Sequence, residues 1–347
     1  MAPALPAPLV ADEGYRNGRS ALAAVRALGT AGYQPLVTAT QTATLASSSR
    51  WCAGVVHVPP IGEAGWVEAV TAGPERLVIP ASDDAVVALD LPGAPLTNKR
   101  VVGERARAAG FPVPEEQHFP DRAALVSHAD ELPYPIVVKP LVRLGPNPAS
   151  ATRIDAPQQL QHVPDRPMLV QPFLAGPIQA FAGVVAGGRL IAAVHQRYLR
   201  IWPPQCGVAS AAVTVEEDVS LEEKVLDLVD GHDGIVQVQF VGGHVIDVNP
   251  RVYGSLPLAV RAGANLPALW AAASTDQLPS KTVRARPGVY YRWLDADIRA
   301  IWWDVRIGHS SVRDGVRALT PHRGTAHSIE DWADPKPVMV RLRNTWR

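Results

Sequence analysis

The part of the sequence that most constrains the fold is a pair of short runs, 234–241 and 244–249, in which apolar residues alternate with other residues. These runs flank Gly242-Gly243, a dipeptide typical of the tight turn between two antiparallel strands. Because successive side chains of a strand point to opposite faces, each run has one apolar face. The sequence therefore predicts a β-hairpin, and its register decides which polar residues meet.

Two registers are possible for this hairpin. A two-residue turn would place Asp247 and Asn249 on the apolar face of the first strand. A three-residue loop, Gly242–His244, instead pairs Gln239 with Asp247 and Gln237 with Asn249. Since a slip of one residue moves every side chain to the other face, we expect the register that pairs polar with polar residues. The apolar face would then consist of Val236, Val238, Phe240, Ile246 and Val248.

The polar face of the predicted hairpin presents Gln239, Asp247 and Asn249 at a spacing that suits a magnesium ion. Mg²⁺ is a hard cation that takes a few protein oxygens and leaves its other positions to water and phosphate. Arg251 follows these residues and is placed to reach a phosphoryl oxygen. A surface hairpin with solvated polar residues is the alternative interpretation.

The residues around the hairpin resemble a known signature. The run Asp247-Val-Asn-Pro-Arg-Val-Tyr-Gly-Ser-Leu-Pro-Leu-Ala259, followed by Arg261-Ala-Gly-Ala-Asn-Leu-Pro267, is similar to the metal-binding signature of ATP-grasp enzymes. It looks in particular like the carbamoyl-phosphate-synthetase-like branch and its carboxylate–amine ligase relatives. The resemblance implies that Gln239, Asp247 and Asn249 hold the magnesium ions that bridge the phosphates of ATP.

The resemblance also implies that Arg251 contacts the γ-phosphate or an acyl-phosphate. One departure from the family concerns the acid, which is usually Glu and here is Asp247. The shorter side chain is expected to bind one metal ion well and a second one poorly. The similarity extends over roughly residues 8–275, and it implies ATP and Mg²⁺ as cofactors.

Composition excludes several classes of protein. The chain has 347 residues, with 33 basic and 33 acidic side chains, so no charge excess points to nucleic acid or to a membrane surface. Its 47% of apolar residues indicates a globular protein. No apolar run approaches the length of a membrane span. The two cysteines are far apart in sequence, so we expect a reduced, cytoplasmic setting; a homodimer is compatible with this size and class.

Strands separated by helices over about residues 8–89 predict a parallel, doubly wound sheet. The first β–α loop contains Glu13, Tyr15 and Asn17 and leads to Arg19, at the end of a strand where ligands bind in such sheets. These residues either contact a substrate, as the resemblance implies for a pre-ATP-grasp domain, or form a helix cap and a solvated arginine. The glycines of this loop do not form a G-x-G-x-x-G fingerprint, so we reject dinucleotide binding. Ser82-Asp83-Asp84 is expected to cap a helix.

Two lysines stand in places where a solvated side chain is not favoured. Lys99 lies in the first turn of a predicted helix, where the helix dipole opposes a cation and an anionic ligand would relieve the mismatch. Lys139 ends the apolar strand 134–140, and burying it is costly without a partner. The resemblance implies that both contact ATP phosphates. A solvated surface lysine remains the alternative for Lys99.

The segments that would cover the nucleotide depart from the family in part. The loop 141–150 has one glycine and two prolines where the family usually has a glycine-rich loop, so either the lid is stiffer or Arg143 supplies a charge. The resemblance implies that Gln171, Phe173 and Leu174 form the segment that binds the adenine edge. Gln179 stands where the family usually has a ribose-binding Glu.

A second hairpin is predicted over 178–197, turning at Gly187-Gly188. Arg197 and Arg200 alternate with apolar residues close to a proline-rich loop. They either bind a carboxylate or phosphate with their fork of donors or keep an exposed strand edge soluble. We place Arg197 with Lys139 and Arg251 in the candidate catalytic set.

These observations predict an α/β and α+β protein with an ATP-grasp fold. The expected divisions are a parallel doubly wound, pre-ATP-grasp domain at 1–95, a small lid subdomain at 96–175 and a mixed-sheet catalytic subdomain with the metal hairpin at 176–280. A C-terminal helical extension is expected at 281–347.

The expected activity is that of an ATP-dependent carboxylate–amine ligase. It would act through an acyl-phosphate on a small carboxylate such as an amino acid, join it to an amine and release ADP and phosphate. Two alternatives stay open, a carboxylase or carbamoyl-phosphate-type reaction on the same scaffold and a non-catalytic ATP-binding regulatory protein. The absence of lid glycines and the Asp at 247 motivate the second alternative.

Overall fold

Three β-sheets follow one another along the chain in the computed structural model, which describes residues 7–12, 18–40, 43–145, 151–320 and 322–345. The first sheet, sheet A, has four parallel strands in the order β3-β2-β1-β4. Its strands are β1 (Leu9–Ala11), β2 (Leu36–Ala39), β3 (Gly54–His57) and β4 (Val78–Pro80). The helices between and after them are α1 (Arg19–Thr30), α2 (Trp66–Thr71) and α3 (Asp83–Ala88).

Sheet A has helices on both of its faces. In β1, Val10 packs in one core cluster with residues of α1, whereas Leu9 packs in another with Trp66 of α2. Both β1 side chains are fully buried. A central parallel strand is therefore apolar on both faces, as expected where crossover helices cover them. The predicted doubly wound arrangement is confirmed.

Sheet B is small and antiparallel, with the strand order β5-β8-β6-β7. Its elements are α4 (Lys99–Ala108), β5 (Gln117–Phe119), α5 (Arg122–Ser127), β6 (Ile136–Pro140), β7 (Thr152–Ile154) and β8 (Met168–Pro172). Ile136 and Val138 of β6 face the core of this unit. Because side chains alternate along a strand, Val137 and Lys139 face the other way, toward a cavity shared with the third sheet.

Sheet C is the largest, and its main path is β13-β12-β9-β10-β11-β15-β16, with β14 paired to β10. Its first strands are β9 (Ile178–Ala186), β10 (Arg189–Trp202), β11 (Val208–Thr214), β12 (Gly234–Val241) and β13 (His244–Asn249), with α6 (Val219–Leu228) before β12. Helices α7 (Leu256–Arg261) and α8 (Leu266–Ala273) follow. The predicted hairpin of β9 and β10 is present and turns at Gly187-Gly188.

The hairpin of β12 and β13, which carries the predicted metal ligands and is called the metal hairpin, has the predicted pairing. Gln239 lies opposite Asp247, and Gln237 lies opposite Asn249. The predicted three-residue loop, however, is wrong. The turn consists of Gly242-Gly243 alone, with φ of +56° and +81°, the positive values that a two-residue hairpin turn of this kind requires.

A β-bulge reconciles the short turn with the polar register. Val241 pairs with His244 and Phe240 with Val245, and the register then shifts before Gln239. Ile246 is the extra residue, and it leaves the apolar face on which we expected it. Val245 takes its place and is buried against the core. The bulge thus turns the second strand so that its polar residues meet those of the first.

We expected the C-terminal part of the chain to be helical, but it also contains three short strands. It contains β14 (Val283–Arg284), β15 (Tyr290–Arg292), α9 (Leu294–Arg306), α10 (Val312–Leu319), β16 (Ala326–His327) and α11 (Lys336–Thr345). The three strands join sheet C, so this part continues the central sheet. Among the described residues, no helix has the length and apolar character needed to cross a membrane.

A buried carboxylate joins this C-terminal part to the middle of sheet C. Asp297 of α9 is fully buried and accepts hydrogen bonds from Arg200 Nε at 2.6 Å and Arg200 Nη2 at 3.0 Å. Nε of Arg292 lies 2.8 Å from Asp297 Oδ2, the oxygen that also accepts from Arg200 Nη2. One carboxylate thus serves two guanidinium groups.

Replacing Asp297 by Asn is expected to lower the free energy of unfolding by about 3 to 5 kcal/mol, because two partly buried cations lose their counter-charge while the shape is kept. Urea denaturation followed by tryptophan fluorescence measures the change. Glu217→Gln is the control, since Glu217 is exposed and its partner Arg284 keeps a second carboxylate in Glu222; it should cost less than about 1 kcal/mol. Equal losses in the two variants would contradict the role given to Asp297.

Candidate active site

A cavity of about 390 Å³ opens between sheet B and sheet C, next to the metal hairpin. Strands β6 and β8 form one wall, and β10, β12 and β13 form the other. Eight of the residues proposed from the sequence line it: Lys99, Lys139, Gln171, Phe173, Leu174, Gln239, Asp247 and Asn249. Arg143 and Arg200, which the sequence also offered as binders of an anion, line it as well, and so do Asp83 and Tyr198, which sequence reasoning did not place in the site.

Lys139 reaches the cavity from the end of β6 and is held by two oxygens. Its Nζ donates to the backbone oxygen of Ile246 at 2.9 Å and to Gln171 Oε1 at 3.2 Å. The carbonyl of Ile246 belongs to the bulge, so the bulge also positions this lysine. Burial lowers the pKa of Lys139 to about 8, although the nearby Asp247 raises it in part.

Asp247 is the partner of Lys99. The Nζ of Lys99 donates to Asp247 Oδ1, and the lysine side chain is only 13% exposed, so Lys99 is not a solvated surface residue. Burial raises the pKa of Asp247, but Lys99, and then Lys139 and Arg251, outweigh it, and the net pKa lies below the usual value. The carboxylate is therefore ionised at neutral pH, as a metal ligand must be.

The side-chain amides of the hairpin form a connected network beside Asp247. Asn249 Nδ2 donates to Asp247 Oδ2 at 3.2 Å. Gln239 Nε2 donates to Gln237 Oε1 at 3.3 Å, and Gln237 Nε2 donates to the hydroxyl of Tyr198 at 3.4 Å. Gln237 and Tyr198 thus hold Gln239 from behind, a supporting role that the alternation of the strand alone does not reveal.

The donor set suits a magnesium ion that shares its coordination with phosphate. Gln239, Asp247 and Asn249 bring only oxygen-bearing groups to one place, which is the preference of Mg²⁺. In the described part of the chain, no three His, Cys, Asp or Glu side chains are grouped to hold a metal. A cation here would therefore rest on one carboxylate and two amides, and the Asn249 amide would have to rotate to present its oxygen.

Arg251 links the hairpin to sheet A. Its Nε donates to Asp83 Oδ1 at 2.6 Å, and its Nη2 donates to Asn249 Oδ1 at 2.8 Å. Ser82 caps α3 by accepting from the backbone N–H of Ala85, as predicted for this stretch. Asp83 has a larger role than the expected capping, because its carboxylate fixes the orientation of Arg251. The sequence signal was its position directly after β4, at the carboxyl end of a parallel strand.

The proposed adenine segment lies along the opposite wall. The backbone N–H of Phe173 donates to the oxygen of Pro135 at 2.9 Å, which anchors the segment to the start of β6. The guanidinium of Arg153, from β7, lies 4.3 Å from the centre of the Phe173 ring. The side chain of Gln171 accepts a hydrogen bond from Lys139 and therefore positions that lysine. Phe173 and Leu174 remain the residues of this segment available to a flat ligand.

The structure does not bring Arg197 or Gln179 to the cavity, and both assignments are corrected. Arg197 pairs with Gln179, and Gln179 pairs with Phe240 across β9 and β12. All three side chains therefore share one face of sheet C, and it is the face opposite that of Gln239. Both polar side chains are exposed there. The face on which Arg197 and Gln179 lie is set by pairing between strands that are distant in sequence, so the local sequence alone does not reveal it.

Arg200 lies on the cavity, where Arg197 was expected. Its Nε and Nη2 bind Asp297, which leaves Nη1 as the donor group without a hydrogen-bond partner among the described residues. Arg143 also lines the cavity, but the rest of the predicted lid, residues 146–150, lies outside the described residues. The predicted contacts of Glu13, Tyr15 and Asn17 lie outside them as well.

No family model matches the sequence. Among solved structures, the chain resembles an N5-carboxyaminoimidazole synthase from Aspergillus clavatus in complex with ADP and 5-aminoimidazole ribonucleotide, with 15% identity, a TM-score of 0.62 and coverage of 82% of this chain and 81% of that one. It also resembles an L-amino acid ligase from Bacillus licheniformis, with 14% identity, a TM-score of 0.60 and coverage of 82% and 78%. It resembles a biotin carboxylase from Campylobacter jejuni as well, with 12% identity, a TM-score of 0.59 and coverage of 82% of this chain and 74% of that one. These likenesses concern the fold, and together with the three sheets they show that the chain has the predicted ATP-grasp fold.

Since the sequence predicts that Lys139 contacts the phosphates of ATP, the affinity for ADP is expected to fall as the pH rises above about 8. Below this pH Lys139 carries its charge without any ligand. Above it, Lys139 must take up a proton before it can pair with a phosphate, and the affinity for ADP then falls by up to about tenfold per pH unit. Calorimetric titration with ADP from about pH 7 to about pH 9.5 measures this.

Lys139→Arg is the control for this titration, because a guanidinium keeps its charge throughout this range. Its affinity for ADP should stay level while that of the unsubstituted protein declines. A level affinity in the unsubstituted protein would contradict the assignment of Lys139 to the phosphates.

Proposed function

We propose that this protein is an ATP-dependent carboxylate–amine ligase that works through an acyl-phosphate and releases ADP and phosphate. The observation that carries the proposal is the convergence of Lys99 and Lys139 with the oxygen-bearing side chains of Gln239, Asp247 and Asn249 on one cavity. Cations and metal-type ligands in one cleft suit the phosphates of a nucleotide. The three solved structures that resemble the chain support the proposal through their fold alone.

The proposal places ATP between sheet B and sheet C. Its base would lie along Phe173 and Leu174, and its phosphates would meet Lys99 and Lys139. In the expected division of the chain, 96–175 would then cover the nucleotide and 176–280 would carry the metal hairpin. Gln179 and Arg197 have no part in this arrangement, because their side chains lie on the other face of the sheet.

The charge of the site supports binding of phosphate. Lys99, Lys139 and Arg251 are cations, and Asp83 and Asp247 are the carboxylates that face them. The three positive charges exceed the two negative ones, and each of these side chains is less than one-third exposed. A polyanion that enters the cavity therefore replaces solvent with preorganised donors.

In the first step a carboxylate oxygen of the acid attacks the γ-phosphorus of ATP, and the bond to the β-phosphate oxygen breaks to release ADP. Lys99 and Lys139 neutralise the charge on the oxygens of the transferred group, and Arg251, held by Asp83, steadies the acyl-phosphate. Bound Mg²⁺, held by Gln239, Asp247 and Asn249, would supply further neutralisation of phosphate charge. No side-chain nucleophile is needed for this chemistry.

In the second step the nitrogen of an amine attacks the carbonyl carbon of the acyl-phosphate. The carbon–oxygen bond to phosphate breaks, phosphate leaves with that oxygen, and the departing phosphate takes the proton that the nitrogen loses as the amide forms. Arg200 Nη1 is available in the cavity to bind the departing phosphate or the acid. Exclusion of water by the walls of the cavity protects the acyl-phosphate from hydrolysis.

Carboxylation is the second candidate, because the solved structures that resemble the chain include a biotin carboxylase at a TM-score of 0.59, against 0.60 for the amino acid ligase. In that reaction bicarbonate would take the place of the acid. The fold does not distinguish the two. An assay that supplies either an amino acid or bicarbonate as the carboxylate distinguishes the two reactions.

Incubation with ATP, Mg²⁺ and a mixture of L-amino acids is expected to release ADP and phosphate in equal amounts, and only when the amino acids are present. Coupled assays for ADP and phosphate, with mass spectrometry of the products, measure this. A requirement for bicarbonate would favour the carboxylase. Release of AMP and pyrophosphate would rule out the acyl-phosphate route.

Asp247→Asn is expected to reduce turnover by at least about a hundredfold, because the one carboxylate of the metal site loses its charge while its shape is kept. Binding of ADP without Mg²⁺ should be unchanged or tighter, since a negative charge near the phosphates is removed. Calorimetry with and without Mg²⁺ separates the two effects.

Asp227→Asn is the matched control for this substitution, because Asp227 is exposed on α6, away from the cavity. It should leave turnover unchanged. If Asp247→Asn retained full turnover, the hairpin would not be the metal site. If it changed only the affinity for nucleotide in a protein that never turns over, the chain would be a binding protein.

A further inference from the structure

Helix α10 turns its apolar side toward solvent. Val312, Val316 and Leu319 recur at the spacing of one helix face, and they are 70%, 63% and 43% exposed, respectively. The one buried residue of this helix is Gly315. A surface helix of a globular protein normally packs such an apolar stripe against the core. The stripe of α10 therefore makes no part of the core of this chain.

Two contacts hold α10 in this orientation. A Cβ at Gly315 would lie 2.8 Å from Val305 Cγ2, so the backbone of α10 lies close against α9 at this point. Arg292 of β15 donates to the backbone oxygens of Ala318 and Leu319, at the end of α10. Because the helix is fixed in its middle and at its end, the exposure of its apolar stripe follows from how it packs.

Helix α9 adds a second apolar stripe beside the first. Ile298 and Trp302 lie one turn apart and are 47% and 55% exposed. Val305 continues this stripe to the point where α9 meets Gly315, so the two stripes adjoin along the contact between the helices. Adjoining exposed apolar side chains of this size are typical of an interaction site. We call this surface the α9–α10 face, and it consists of Ile298, Trp302, Val312, Val316 and Leu319.

Exposed arginines accompany the α9–α10 face on both helices. The guanidinium of Arg306 lies 5.0 Å from the centre of the Trp302 ring, so one of these cations is in contact with the face. Arginine can lay its apolar stem along such a surface while its charge reaches outward. The four arginines, two from each helix, are Arg299, Arg306, Arg313 and Arg317.

The carboxylates of the two helices offset this charge only in part. Asp295 is bound to Arg341, and Asp297 is fully buried. Asp304, which is half-buried, and Asp314, which is exposed, are the carboxylates that remain on α9 and α10. The exposed charge of the two helices is therefore positive.

The positive charge belongs to a wider asymmetry of the sequence. Of the 33 basic and 33 acidic residues of the chain, 13 basic and 7 acidic residues lie in 281–347. This part thus has an excess of six positive charges, and residues 1–280 have an equal excess of negative ones. The charge balance of the whole chain, which gave no sign of a membrane surface, does not hold for its C-terminal part. Such an asymmetry is typical of a chain that binds an anionic surface with one of its parts.

We propose that the α9–α10 face binds the surface of a membrane that contains anionic lipids. Apolar side chains that include a tryptophan, together with arginines, form the helices that lie at the boundary between headgroups and acyl chains. A nucleic acid would use the arginines and leave the aliphatic stripe of α10 exposed. A two-fold contact between copies of the chain would place the same arginines against each other. The inference does not depend on the proposed function.

The test is co-sedimentation of the full chain with phospholipid vesicles at low ionic strength. Vesicles of phosphatidylcholine alone are compared with vesicles that contain about one-third phosphatidylserine, whose surface is negative. The chain should bind the anionic vesicles at least about tenfold more tightly, since each arginine near such a surface adds to the attraction. Added salt should weaken the binding, because it screens these charges.

Val312→Ser combined with Val316→Ser should weaken binding to the anionic vesicles by at least about tenfold, because apolar contact is lost while every charge is kept. The matched control combines Val126→Ser with Val219→Ser, which changes two valines of α5 and α6 that are 46% and 50% exposed. The control should bind like the unsubstituted chain. Both double variants should keep the thermal midpoint, since all four positions are on the surface.

Tryptophan fluorescence locates the surface that meets the lipid. Binding to anionic vesicles should shift the emission to shorter wavelength, because the indole of Trp302 leaves water. Trp302→Phe should remove most of this shift and keep the binding. An equal shift in Trp302→Phe would show that another tryptophan enters the lipid, which contradicts the assignment to the α9–α10 face.

The proposal would be overturned if the chain failed to sediment with anionic vesicles, or if the two double variants lost the same affinity. Analytical ultracentrifugation without vesicles tests the other occupant of the face. A dimer that becomes a monomer in the variant with Val312→Ser and Val316→Ser would assign the face to a second copy of the chain and overturn the proposal. A monomer in both cases, with vesicle binding lost in that variant, is the expected result.

Discussion

The interaction on which the site depends is the ion pair between Asp247 and Lys99, with Lys139 close by. Burial alone would raise the pKa of Asp247, and the surrounding cations outweigh that effect and bring the pKa below its usual value. The same burial brings the pKa of Lys139 down to about 8. Asp247 and Lys139 therefore each favour the charged form of the other, whereas the charge of Lys99 favours that of Asp247 and opposes that of Lys139.

Every sheet contributes to this arrangement. Sheet B supplies Lys139, the helix before it supplies Lys99, and sheet C supplies Asp247. Sheet A reaches the same place through Asp83, which binds Arg251 at 2.6 Å. Contacts of this kind explain why a ligand in the cavity would be sensed by all three parts of the chain, since each part has a charged side chain there whose partner belongs to another part.

The register of the hairpin could be predicted, because pairing Gln239 with Asp247 keeps polar residues together and any other choice buries them. The bulge at Ile246 could not be predicted, since it depends on a two-residue turn that the apolar pattern alone does not select. Arg197 and Gln179 were misplaced because their face is set by strands far away in sequence. Asp83 and Asp297 were missed for a similar reason: their arginine partners lie 168 and 97 residues away, respectively.

The pair of Lys99 and Asp247 also bears on how a nucleotide would enter. On the proposed function, Asp247 must exchange Lys99 for a cation, and Lys99 must exchange Asp247 for a phosphate. If the metal came alone, Lys99 would lose its partner in a partly buried place; if the nucleotide came alone, Asp247 would face added negative charge. A nucleotide that carries its own Mg²⁺ provides both new partners at once, so neither side chain is left uncompensated.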